Sequence, residues 1–170
     1  MVTVVLRAVL FVFGLVGIAG AQTMTSSNYC DIAFDEITLP SKPNYFLALP
    51  QSHGVVMRGS RNTAKQQAVS PEFAVSVDKL TQAFDRVIAD EKRTTLECEK
   101  QETQTRAYIQ RSALFHFPDV IIVKFVPLGN KRSTLIIFSH AIYGYYDFGV
   151  NKQRVEAWLA KLDVAITNLT

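Results

Sequence analysis

The side chains best equipped for chemistry gather in one stretch, Ser133 to Trp158. Ser139 and His140 are neighbours there, with Tyr143, Tyr145, Asp147, Asn151 and Arg154 close behind. Ser, His and Asp are the residue types of nucleophilic hydrolysis, in which a base takes the hydroxyl proton and a carboxylate orients the base. One reading is therefore an envelope hydrolase using Ser139, His140 and Asp147. Against it, the chain has no G-x-S-x-G elbow, no H-E-x-x-H, no C-x-x-C and no phosphate loop. Ser52 beside His53 is a second Ser–His pair with no placed acid. The first reading is accordingly non-enzymatic: a domain that binds a partner or a small, lipophilic ligand, with no catalytic residue assigned.

For a small polar ligand, Tyr145, Asp147, Asn151 and Arg154 would converge with Ser139 and His140 at a helix N-terminus, where backbone N–H groups favour anions. Tyr143, Arg111 and Lys124 complete this candidate ligand-binding set. The same corner also has a purely structural reading. Gly144 and Gly149 allow backbone angles other residues avoid. Asn151 can cap the last helix, Arg154 is within reach of Asp147, and the tyrosines can pack on Trp158 and the sheet. The three histidines, His53, His116 and His140, do not make a metal site by count. Two of them, His116 and His140, would sit two strands apart, about 10 Å, too far to share one ion. No metal or other cofactor is expected.

These residues need elements to position them. Ser76 as N-cap, with Val77, Leu80, Phe84, Val87 and Ile88 at helical spacing, predicts a helix ending near Glu91. Thr94–Glu99 has strand character. Three further strands form a meander: Arg106–Phe117, Val120–Val126 and Ser133–His140. A last helix runs from about Asn151 to Leu169, with Val155, Trp158, Leu159, Leu162 and Ile166 on one face. Before all of these, Asp31–Pro50 is extended and irregular, and Gln51–Val69 reads as a long loop. The fold class is α+β: a mainly antiparallel meander sheet packed by two helices, with an irregular N-terminal arm.

Tight turns at Pro118-Asp119 and at Pro127–Arg132 would set His116 opposite Ile121 and Ser139 opposite Val120. One face then carries Leu114, His116, Ile121, Val123, Phe125, Ile136, Phe138 and His140. The other carries Arg111, Phe115, Ile122, Lys124, Leu135, Ile137 and Ser139. Both are apolar, whereas a half-exposed antiparallel sheet alternates apolar and polar. Two helices cover one face. The arm Ile32–Val75, a homodimer interface or a lipophilic ligand must cover the other.

The 170 residues suffice for one domain with a real core. At the start, Arg7, the apolar run Ala8–Ile18 and Ala19-Gly20-Ala21 have a secretory signal layout, with cleavage before Gln22. The domain plan is thus a signal peptide over 1–21, a flexible leader over 22–39 and a single α+β domain over 40–170. Export to the periplasm or beyond follows, with no membrane span after cleavage; the alternative is an inner-membrane anchor formed by the uncleaved segment. Eighteen Lys and Arg against fifteen Asp and Glu give a net charge of +3, falling to +2 without Arg7. No basic stripe is present, which argues against nucleic acid as a partner. Cys30 and Cys98 are a candidate disulfide if the chain is exported, the alternative being two free thiols.

Several blocks look like a bacterial family known as domain of unknown function 1499. They are Ser41-Lys42-Pro43-Asn44, Gln110-Arg111-Ser112 with Phe117-Pro118-Asp119, Arg132-Ser133-Thr134, Tyr143 through Asn151, and Arg154 through Leu159. The resemblance covers the chain from about Pro40 and implies no established reaction. The family usually has a small Ser where Tyr146 stands, and often an Arg near His140.

Overall fold

The helix α1, Val77–Ala89, starts where Ser76, in an extended conformation, accepts a hydrogen bond on Oγ from the Lys79 backbone N–H at 3.5 Å. Its apolar stripe of Leu80, Ala83, Phe84 and Val87 is buried. The second helix, α2, Val150–Thr167, buries Val155, Trp158, Leu162 and Ile166 against the same surface. The structure, a computed structural model, describes residues 26–51, 56–58 and 64–169. The signal segment, the first residues of the leader, Ser52 and His53 lie outside the described residues.

The surface under both helices is a sheet built from β2 (Tyr45–Leu49), β4 (Gln67–Val69), β5 (Thr94–Lys100), β6 (Thr105–Arg111), β7 (Pro118–Gly129) and β8 (Arg132–Ala141). These six strands run in the order β4-β2-β8-β7-β6-β5, antiparallel throughout except for the β2–β4 pair. The domain is α+β, as its pattern predicts. A short parallel pair, β1 (Glu36–Thr38) with β3 (Val56–Arg58), lies apart from the main sheet. Among the described residues no helix is long and apolar enough to cross a membrane.

Both sheet faces are buried. Phe46, Tyr108, Ile121, Val123, Phe125, Leu135 and Ile137 pack against the helices. Phe84 lies at the middle of that layer, edge-on to Phe125 at 5.5 Å and to Trp158 at 5.9 Å. On the opposite face Tyr45, Leu47, Ala107, Val120, Ile122, Ile136 and Phe138 pack under Tyr29, Phe34, Ile37 and Leu39. The N-terminal arm is therefore the cover of the second face. The part of the leader from Tyr29 to Leu39 is packed and not free, because four large apolar side chains tie it down. Cys30 and Cys98 are bridged, Cα to Cα 6.2 Å, fastening the arm to β5.

The register differs from the one inferred from turns. The β6–β7 connection is not a tight turn at Pro118-Asp119 but a loop, Ser112–Phe117, closed by the Phe117 N–H donating to Ser112 Oγ at 3.0 Å. Pro118 is the first residue of β7, opposite Arg111, a position where its missing N–H is tolerated. The β7–β8 turn sits at Asn130-Lys131, both at positive φ, as a two-residue type I′ hairpin requires. Ser139 consequently faces Ile121, not Val120, and His140 faces Val120. A slip of one residue exchanges faces for a whole strand. Ser139 therefore joins Ile121 and Val123 on the helix side, while Ile136, Phe138 and His140 join the arm side. Leu114, Phe115 and His116 are on neither face; they belong to the loop and are exposed.

Candidate functional site

Arg154, one turn into α2, points at the sheet and is only 8% exposed. Its guanidinium makes four hydrogen bonds, with every nitrogen engaged. Nε donates to Gln110 Oε1 at 2.5 Å, Nη1 to Ser139 Oγ at 2.9 Å and Asn151 Oδ1 at 2.6 Å, and Nη2 to Asp119 Oδ2 at 2.6 Å. The sequence reading paired Arg154 with Asp147. That is corrected here: its partner is Asp119, brought up from β7, a strand distant in sequence. Burial pushes the Asp119 carboxyl above its ordinary value; Arg154 pulls it down and Asp147 adds to the rise.

Asp147 performs the capping role assigned to Asn151. Its Oδ1 accepts from the Gly149 N–H at 3.0 Å, and its Oδ2 from the Asn151 N–H at 2.9 Å and the Asn151 Nδ2 at 2.8 Å. Gly149 is the N-cap residue at φ +79°, so it has no side chain for the task, and the carboxylate two residues earlier supplies it. The helix N-terminus that could have received an anion is filled by the protein's own anion. Asn151 then bridges inward: it accepts from Ser139 Oγ at 2.6 Å and donates to the Asn44 carbonyl at 3.2 Å. Asn44 in turn donates to the carbonyls of Ala141 and Gly144 at 3.3 and 3.1 Å.

Ser139 is wholly buried and bonded on both sides, a poor nucleophile. His140, the next residue on an extended strand, points to the opposite face, its ring 5.1 Å from that of Phe138. Its Nε2 is buried without a hydrogen-bond partner, and desolvation lowers its pKa to about 4, so it is neutral at pH 7. The Ser139/His140/Asp147 set is thereby taken apart: the base cannot reach the hydroxyl, and the acid is a helix cap. Arg111 donates to the His116 carbonyl at 3.3 Å and helps hold the Ser112–Phe117 loop. Lys124 lies mid-strand opposite Ile136 and does not reach the corner.

The corner tyrosines do not pack on Trp158, whose tyrosine neighbour is Tyr108 of β6 at 6.4 Å. Tyr143, Tyr145 and Tyr146 are exposed, as are Phe115, Phe117 and Phe148. All belong to two loops, Ser112–Phe117 and the β8–α2 corner, that meet at one end of the sheet. Phe115 and Phe117 stack at 5.5 Å, and Phe117 continues to Tyr143 at 6.2 Å. Between the loops is a cleft of about 520 Å³, walled by Phe115, Phe117, Tyr143, Tyr146 and Phe148, with Asp119 and Asp147 also lining it. Phe148 is 91% exposed and holds φ at +54°, a conformation unfavourable for a bulky side chain. Another cleft, of about 470 Å³ between α1 and the β5–β6 hairpin, is polar, and its Arg106 is paired with Asp85 and Glu99.

Sequence reasoning thus found Ser139, Tyr143, Asp147, Asn151 and Arg154 but gave no site role to Asn44, Gln110, Phe115, Phe117, Asp119, Tyr146 or Phe148. Most lie in the motif blocks quoted above, the only signal that could have found them. A family model described as a protein of unknown function (DUF1499) matches residues 37–162. No curated protein and no solved structure matches the chain.

Proposed function

The chain belongs to the DUF1499 family of proteins of unknown function, and from its cleft we propose that it is an exported, non-enzymatic domain that binds a small lipophilic ligand. The observation that carries this reading is the clustering of exposed rings from Phe115, Phe117, Tyr143, Tyr146 and Phe148 around one concave space of about 520 Å³. Apolar rings left facing water cost free energy that a bound ligand would recover, and a concave apolar site with a few polar groups is the usual form of a ligand pocket. The polar network behind the cleft supports the same reading. It links the residue before β2 to β6, β7, β8 and α2 through Asn44, Gln110, Asp119, Ser139, Asn151 and Arg154. Such a network holds the cleft floor rigid and offers no free nucleophile. Export is supported by the signal layout of residues 1–21 and by the bridged cysteines, since disulfides persist in oxidising compartments.

Native mass spectrometry of protein purified from the cell envelope tests the binding claim. A non-covalent apolar adduct is expected on the wild type and absent from a Phe117→Ser, Phe148→Ser double variant. A bare monomer that also fails to bind N-phenyl-1-naphthylamine would overturn it, and a bare dimer would assign the rings to a self-interface. N-terminal sequencing of the same material should begin at Gln22. A chain still starting at Met1 in the membrane fraction would replace export by anchoring.

A further inference from the structure

Resting on that cleft reading, we infer that the ligand carries a cationic head: an alkylammonium or quaternary ammonium group attached to an apolar body. The argument is one of charge and ring geometry together. Two carboxylates, Asp119 and Asp147, line the cleft, and one guanidinium, Arg154, stands behind it. Asp119 is matched by Arg154. Among the described residues Asp147 forms no ion pair; its hydrogen-bond donors are the neutral N–H groups of Gly149 and Asn151. One carboxylate is left without a cationic partner, offset only in part by the N-terminus of α2, in a cleft walled by aromatic side chains.

Aromatic faces are negative at the centre of the ring and attract cations, most strongly where water is displaced. An anion would meet both the aromatic rings and a carboxylate that has no cationic partner. The feature that would have favoured an anion, the N-terminus of α2, is already occupied by Asp147. A neutral apolar ligand would gain the ring contacts but leave the charge of Asp147 facing it. Phe148, at the rim of the cleft, holds its left-handed backbone with the ring 91% exposed, a strained arrangement that leaves an aromatic surface free for a ligand.

The test uses three probes with one tail, octyltrimethylammonium, octyl glucoside and octanoate, titrated calorimetrically into the full mature chain below their micelle concentrations. The cation should bind about tenfold more tightly than octyl glucoside, with octanoate weakest. Asp147→Asn keeps an acceptor for the helix N-terminus and should remove this preference while octyl glucoside still binds, which also reports that the cleft is intact. Phe148→Leu keeps apolar surface without a ring; it should weaken the cation several-fold and the neutral probe little. Equal affinity for all three wild-type titrations would overturn the cationic head and leave the apolar cleft standing. A preference for octanoate would overturn it in favour of an anion. No binding by any probe would overturn the cleft reading itself.

Discussion

Arg154 Nη2 lies 2.6 Å from Asp119 Oδ2, joining the first turn of α2 to the start of β7 across 35 residues of sequence. Both side chains are largely buried, at 6% and 15% exposure, so the pair is screened little by water. Removing one member leaves the other desolvated and unpaired. Arg154→Gln should therefore lower the unfolding free energy by about 3 kcal/mol. Adding Asp119→Asn to that variant should cost much less than the two single losses summed. Urea unfolding of the four-member cycle measures both; additive losses well under 1 kcal/mol would show the pair to be incidental.

Asp147 is the cap of α2. Asp147→Ala removes the acceptor for the Gly149 and Asn151 N–H groups and should cost about 1–2 kcal/mol. Asp147→Asn keeps one of the two acceptor oxygens and turns its amide NH2 toward the remaining donors, so it should recover only part of that loss. Thermal unfolding of the two variants side by side checks the order, and equal losses would mean that the charge matters more than the acceptor.

His140 sets an acid limit on stability. Its pKa is lowered to about 4 in the fold against about 6.5 for an unperturbed imidazole, so the unfolded chain binds the proton first. The stability is fully present above about pH 6.5 and is lost as pH falls towards 4, by up to about 3 kcal/mol. Replacing the ring in His140→Leu should flatten that slope between pH 6.5 and 4.5 in urea titrations. A variant with the wild-type slope would place the titrating group elsewhere.

The bridge from Cys30 to Cys98 closes a separation of 68 residues and holds the arm over the second sheet face. Reduction, or Cys30→Ser with Cys98→Ser, should lower stability by about 4 kcal/mol in the chain-entropy model. Hydrogen exchange should then show faster exchange in β5 and the arm, with α1 and α2 less affected. Uniform acceleration across the domain would mean that the arm and the core unfold as one unit.

Much of this molecule was legible in its sequence because the signals are local. The Ser76 cap and the 3.6-residue spacing of Leu80, Phe84 and Val87 specify α1 within its own few turns. The apolar runs of β7 and β8 announce strands buried on both faces. The clustering of polar residues between Ser139 and Arg154 marks the corner before any contact is known. What the tertiary structure alone decided is pairing. Whether Arg154 meets Asp147 or Asp119 depends on where β7 runs beside β8. That in turn depends on the loop Ser112–Phe117 absorbing residues that read as strand. One residue of register separates Ser139 on the helix side from His140 on the arm side, and no local propensity distinguishes the two alignments when both faces are apolar. The cleft is decided the same way. Phe115 and Phe148 look like core residues in a sequence, and only the meeting of two loops at the end of the sheet leaves their rings in water around one cleft.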